Sequence, residues 1–182
     1  VAARIPENGE ALVHTILPRK SAFIRKVAGE NAAPHVLATN IDTVMIVMGL
    51  DGDFNVRRLE RYLTLTWESR ARPVIVLNKQ DLATDLDAQV ATIRQLAKDT
   101  EIRVISALNE LDVANLRPLF GPGQTVALLG SSGVGKSTLV NRLAGSAISQ
   151  VGTVRDDGRG RHTTTRRELL LLRGISHRRL PA

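Results

Sequence analysis

Gly130-Ser-Ser-Gly-Val-Gly-Lys-Ser137 satisfies G-x-x-x-x-G-K-[ST] at every fixed position. Residues of these types at this spacing can cradle phosphate. The glycines let the backbone curl so that successive N–H groups point at one place, where an anion's oxygens accept them. A helix opening at Lys136 would add the partial positive charge of its N-terminus there. Gly130, Ser131, Ser132, Gly133, Val134, Gly135, Lys136, Ser137 and Thr138 are therefore the candidate phosphate-binding positions. Lys136 would reach the β- and γ-phosphates and serve catalysis, and Ser137 would place its hydroxyl on Mg2+. A Gly-rich turn arising by chance is the bland alternative. The apolar run before the motif and the helical pattern after it weigh against chance.

A second group of residues could read a base. Asn78-Lys-Gln-Asp81 stands directly after the apolar run Pro73–Leu77. An Asp here can accept from the ring N–H and the exocyclic amine of guanine, a donor pair that adenine lacks. A carboxylate covered by the wrong base would be left unpaired, which is costly. Asn78 would hold the base edge and neighbouring loops, and the stem of Lys79 would pack across the base face. Ser106-Ala107 ends the next strand, where a backbone N–H could donate to the guanine carbonyl. N-K-x-D alone is short and could be a helix-capping turn. Three such signals at three successive strand ends favour guanine.

These groups need a frame. Thr43–Met48 is a continuous apolar run, as in a strand buried on both faces. A helix is predicted from about Val56 to Glu68, with Val56, Leu59, Leu63 and Trp67 on one face and Arg57, Arg58 and Arg61 largely away from it. Pro73–Leu77 is the next strand. A second helix should cover about Asp87–Lys98, turning Leu86, Val90, Ile93 and Ala97 inward, with Asp85 or Asp87 as its cap. Further strands are expected at Ile102–Ile105, Thr125–Leu129 and Glu168–Leu172, and a helix over Lys136–Ala144. Strands alternating with helices imply an α/β fold with a doubly wound, mostly parallel sheet. Residues 1–39 differ: short β-type runs, Ala11–Leu17 and Ala22–Arg25, are separated by Pro, Gly and basic residues. They suggest a few strands of a small β-barrel, too few to close one.

The chain has 182 residues, enough for one domain and a small appendage. Lys and Arg number 25 against 18 Asp and Glu, a formal charge of +7 that favours polyanionic partners. No apolar run approaches the roughly 20 residues of a membrane span, so no membrane partner is expected. Cysteine is absent, which removes disulfides and thiolate metal sites and fits a cytoplasmic location. His14, His35 and His177 show no metal-ligand grouping. The first residue is Val rather than Met, pointing to a fragment, a processed chain or the ordered part of a longer one.

The order of motifs is unusual: the base-reading residues precede the phosphate loop, whereas most GTPases have the reverse. The phosphate loop is followed by Gly158-Arg-Gly-Arg-His-Thr-Thr-Thr165. With Leu17-Pro-Arg-Lys-Ser21, Arg25-Lys26 and Ala38-Thr-Asn-Ile-Asp42, this order resembles the RsgA/YjeQ family of circularly permuted GTPases that depend on the small ribosomal subunit. The resemblance covers nearly the whole chain. It implies GTP hydrolysis to GDP stimulated by the small subunit and its rRNA, a role in late maturation of that subunit, and a monomer. It divides the chain into 1–39, the later strands of an OB-fold, and 40–182, the permuted GTPase domain. Arg19, Lys20, Arg25 and Lys26 would suit RNA phosphates, though such residues are often just a solvated face.

The resemblance also assigns a switch. One threonine of Thr163–Thr165, with Thr164 preferred, would close over Mg2+ and the γ-phosphate. His162 resembles the family's substitute for the usual water-orienting glutamine, although an exposed loop His is usually inert. The family's Asp-x-Pro-Gly segment should follow the Glu168–Leu172 strand, but Arg173–Ala182 runs in its place. Asp157-Gly-Arg-Gly160 fits the looser D-x-x-G by letter, but it precedes the threonines and sits in the wrong loop. The family's C-terminal zinc module is not expected in this stretch either. The chain is read as truncated, or as one whose disordered segments were omitted and the flanks joined. The chain is therefore expected to bind GTP yet hydrolyse it poorly alone. Two other readings are a guanine-nucleotide-dependent RNA-binding module with negligible hydrolysis, and a small-molecule kinase or ATPase, which Asn78–Asp81 disfavours.

Overall fold

The computed structural model describes residues 2–4, 12–16, 18–25, 35–145 and 172. Four parallel strands form its centre: β5 (Thr43–Gly49), β6 (Arg72–Asn78), β7 (Glu101–Val104) and β8 (Val126–Leu129), in spatial order β7-β6-β5-β8. β5 pairs in register with β6 from Thr43 opposite Arg72 to Gly49 opposite Asn78, and with β8 from Thr43 opposite Val126. All seven residues of β5 are buried. Its alternate side chains divide between two cores, as a sheet covered on both faces requires.

On one face Met45, Val47, Val74 and Val76 pack with Val113, Leu116, Leu119, Leu139 and Leu143. Those last residues come from α3 (Glu110–Ala114), the turn after it, and α4 (Lys136–Ala144). On the other face Val44, Ile46, Met48, Ile75 and Leu77 meet Leu59 and Leu63 of α1 (Val56–Ser69) and Ile93 of α2 (Leu86–Leu96). Leu172 packs partly against the first core.

Side chains cap the starts of α1 and α2, the second at Asp85 as its sequence suggests. Asn55 Oδ1 accepts from the Arg58 N–H at 2.9 Å, and Asp85 Oδ1 from the Ala88 N–H at 3.1 Å. One facing expectation for α1 is corrected: Trp67 is 54% exposed. The buried line runs through Leu59, Leu63, Thr66 and Ser69 instead. Each residue advances about 100° around a helix, so seating Thr66 against the sheet turns Trp67 outward. Thr66 is tolerated inside because its hydroxyl donates to the Tyr62 carbonyl at 2.7 Å.

Before the central sheet lie two antiparallel pairs, β1 (Ala2–Arg4) with β2 (Leu12–Thr15) and β3 (Ala22–Arg25) with β4 (His35–Thr39). Such pairs fit part of a small β-barrel. The second pair is fastened to the segment that leads into β5: Ser21, 3% exposed, donates through its hydroxyl to the Ile41 carbonyl at 2.6 Å. Phe23 of β3 packs against the α1 side of the core. The β-type runs Ala11–Leu17 and Ala22–Arg25 correspond to β2 and β3, whereas β1, β4 and the five-residue α3 have no clear periodicity in the sequence. The strand expected at Glu168–Leu172 lies, except for Leu172, outside the described residues.

Candidate nucleotide site

In a parallel sheet all carboxyl ends lie along one edge, and that edge is where open α/β sheets bind ligands. Here it gathers the loops after β5, β6, β7 and β8: Leu50–Phe54, Asn78–Leu82, Ile105–Asn109 and Gly130–Gly135. Every base- and phosphate-reading candidate in residues 78–138 belongs to one of these loops or to the first turn of α4.

The phosphate loop begins against β5. A Cβ on Gly130 would run into the Val47 carbonyl, so only glycine lets the chain leave the sheet so closely. It ends at Gly135, with φ +104°, where a Cβ would overlap Asn78 Nδ2. Between them Val134 is wholly buried, while Ser132 and Gly133 are exposed. Lys136 and Ser137 open α4, and Thr138 follows, all half-buried. Lys136 Nζ donates to the Gly130 carbonyl at 2.9 Å and the Ser131 carbonyl at 2.5 Å, so its ammonium lies across the loop. Burial lowers its pKa, and the nearby Asp53 carboxylate opposes that shift.

Asn78 joins three loops. Its Nδ2 donates to the Val134 carbonyl and its Oδ1 accepts from the Ala107 N–H, both at 2.8 Å. At 1% exposure, neither end of the amide is left without a partner. Lys79 adopts φ +63°, and its ammonium pairs with Asp51 Oδ2 at 2.7 Å. Burial raises the Asp51 pKa, but the Lys79 hydrogen bond and charge and the Asp53 N–H outweigh it and hold the carboxyl below its ordinary range. Gln80 Nε2 donates to Asp112 Oδ2 at 2.6 Å. Asp81 is exposed and borders an open cleft of about 580 Å³ with Gln80, Ser106, Leu108 and Asn109. Three residues of the motif are tied down, and the fourth offers its carboxylate to the cleft.

The Ser106–Ala107 segment departs from the simplest expectation. The Ser106 N–H already donates to Asp112 Oδ2 at 2.7 Å, and that of Ala107 to Asn78. The Leu108 N–H is held only by Ser106 Oγ at 3.3 Å. A carbonyl entering the cleft would therefore share the Ala107 donor or take the loosely held Leu108 donor.

The chain is similar to known proteins over most of its length. Residues 16–176 match the RsgA GTPase family. This chain belongs to that family. The Small ribosomal subunit biogenesis GTPase RsgA of Opitutus terrae is 50% identical over 184 residues, covering 96% of this chain and 50% of that protein. The protein of the same description from Methanosarcina acetivorans is 46% identical over 168 residues, covering 92% of this chain and 46% of its own length. The chain thus spans about half the length of these curated relatives. The crystal structure of YjeQ from Thermotoga maritima superposes with a TM-score of 0.60 at 23% identity, covering 77% of this chain and 48% of that one. That likeness concerns the fold alone, an α/β arrangement around the four-stranded parallel sheet.

The geometry also brings to the candidate site residues that the sequence left unmarked. Asp53 accepts from the Ser131 hydroxyl and pairs with Arg58 Nη2 at 2.7 Å, so it braces the phosphate loop. Asp51 and Asp53 follow an apolar strand at its carboxyl end, and that position was the available signal. Asp112 had none, because α3 is too short to display a periodicity. Among the described residues no group of three or more His, Cys, Asp or Glu could hold a metal ion. Also among them, no helix is long and apolar enough to cross a membrane. Arg19 and Lys20 are exposed beside β3, and Arg25 closes that strand. Lys26, His162 and Thr163–Thr165 lie outside the described residues.

Proposed function

We propose that this chain is the guanine-nucleotide-binding core of a GTPase acting in late maturation of the small ribosomal subunit. The observation that carries the proposal is Asn78. It joins the phosphate loop to the Ser106–Ala107 segment, while Asp81, three residues on, is open to the cleft. A base in that cleft would satisfy Asp81 with the two donors of guanine, and its phosphates would meet the N–H groups of Gly130–Lys136. Lys79, steadied by Asp51, would lie along the base face. The curated relatives, described as small ribosomal subunit biogenesis GTPases, support the cellular role.

In this reading Lys136 leaves the carbonyls of Gly130 and Ser131 for the β- and γ-phosphates as GTP enters. The terminal phosphoryl group passes to water, and the enzyme's contribution is positioning and charge stabilisation. Ser137 offers a hard hydroxyl oxygen at the start of α4, a donor suited to Mg2+. The ion, when bound, supplies positive charge against the phosphate oxygens. Thr164 as a second Mg2+ ligand and His162 as the group orienting water rest on the sequence alone.

Residues 1–39 are assigned to an OB-like module ahead of the GTPase domain. The exposed Arg19 and Lys20, with Arg25 and Lys26, would contact rRNA phosphates within a chain of charge +7. Action as a monomer in the cytoplasm, and zinc bound by a further C-terminal module, complete the proposal.

Phosphate release from GTP, measured with and without purified small ribosomal subunits, tests it. Turnover that rises at least tenfold with the subunit is the expected result. Tight GTP binding with no turnover in either condition would instead indicate a nucleotide-dependent RNA-binding module.

A further inference from the structure

We propose that Asp112 is a positioning residue for guanine selection, fixing the distance between the two loops that read the base. This rests on the cleft beside Asp81 being the guanine site. Asp112 Oδ2 alone accepts two donors: the Gln80 side-chain amide at 2.6 Å and the Ser106 N–H at 2.7 Å. One donor comes from the loop after β6, next to Asp81. The other comes from the loop after β7, next to Ala107 and Leu108. Asp112 does not itself border the cleft, whose wall is Gln80, Asp81, Ser106, Leu108 and Asn109. It acts from behind, through Gln80 and Ser106.

The chemistry favours a carboxylate here. An ionised oxygen accepting two N–H groups makes stronger hydrogen bonds than a neutral acceptor. The backbone ties between the same loops are neutral, such as the Gln80 N–H donating to the Ile105 carbonyl at 3.1 Å. Reading guanine requires Asp81 on one side of the base and a backbone N–H on the other. Their separation must match the ring to within a fraction of an ångström for both sets of hydrogen bonds to form. Releasing Gln80 and Ser106 would leave only the neutral ties between the walls, the Ala107 N–H to Asn78 and the Gln80 N–H to Ile105. The outer parts of both walls would then drift while the phosphate loop, held by Asn78 and Asp53, stays in place.

The test measures displacement of fluorescent GDP from the chain by GDP, ADP and pyrophosphate, in wild type, Asp112→Ala, Asp112→Asn and Gln80→Ala. Pyrophosphate has no base and reports the phosphate loop alone. Asp112→Ala should weaken GDP about tenfold while pyrophosphate changes by less than about twofold. Asp112→Asn keeps an acceptor oxygen for the Ser106 N–H and should recover most of the loss. Gln80→Ala, which removes one of the two ties, should weaken GDP by about threefold. If Asp112→Ala does not fold, Gln80→Ala carries the test. Unchanged GDP affinity in Asp112→Ala and Gln80→Ala would overturn the proposal. So would equal weakening of GDP and pyrophosphate, which would mean a general loosening of the fold. Wild type failing to prefer GDP over ADP would instead remove the guanine reading on which the proposal stands.

Discussion

Asn78 Nδ2 donates to the carbonyl of Val134 at 2.8 Å, across 56 residues of chain. That one amide brings the Asn78–Leu82 loop and the Gly130–Gly135 loop, far apart in sequence, to one place on the sheet edge. Asn78→Ala would leave the buried Val134 carbonyl and the Ala107 N–H without partners, at a cost of about 1–3 kcal/mol for each. The variant should unfold at lower denaturant concentration and bind GDP at least tenfold more weakly. Equilibrium denaturation and a GDP titration measure the two effects.

Gly135 tests the same junction from its other side. Its φ of +104° is unfavourable for any L side chain, and a Cβ there would overlap Asn78 Nδ2. Gly135→Ala should therefore cost about 1–3 kcal/mol in strain, together with part of the Asn78 bond. Guanidinium denaturation of the nucleotide-free chain reads the loss. A stability equal to wild type would mean that the loop and Asn78 are less closely packed than this geometry requires.

Lys136 gives a pH dependence of known sign. Burial lowers its pKa in the folded, nucleotide-free chain below the ordinary value of 10.5. Between that lowered value and 10.5 the unfolded state binds more protons, so stability rises with pH through this window. Compared with Lys136→Met, wild type should therefore gain stability as pH increases toward 10.5. Bound phosphate should cancel the trend, because its charge favours the ammonium form. Denaturation curves of both proteins over alkaline pH, with and without GDP, provide the check.

The two faces of α1 predict opposite sensitivities. Leu63 is 2% exposed and Trp67 is 54% exposed. Leu63→Ala should destabilise by about 2–5 kcal/mol, and Trp67→Ala by about 0.5 kcal/mol or less. Thermal or denaturant unfolding of the pair distinguishes the buried line through Thr66 from one through Trp67.

Much of this architecture is legible in the sequence because its signals are local. The apolar runs of β5 and β6, the cap at Asp85, and the glycines of Gly130–Gly135 each act on near neighbours. The features that escape are set by contacts between distant loops. Asp53 reaches Ser131 across 78 residues and Gln80 reaches Asp112 across 32, and no spacing rule announces either. Trp67 is misplaced by its helical spacing because apolarity does not by itself mean burial. The helix instead seats Thr66, whose hydroxyl is satisfied within its own backbone. The Ser106–Ala107 segment is recognisable by position, but its N–H donors are already engaged by Asp112 and Asn78, which only side-chain geometry reveals.

The most direct test of the central claim is competition for fluorescent GDP by unlabelled GTP and ATP, in wild type and in Asp81→Asn. Guanine recognition through Asp81 predicts displacement of the probe by GTP but not by ATP at matched concentrations. It also predicts that Asp81→Asn weakens GTP at least tenfold, because an amide offers one acceptor and a mismatched donor where guanine presents two donors. Equal displacement by ATP, or wild-type GTP affinity in Asp81→Asn, would contradict it and reduce Asn78–Asp81 to a structural turn.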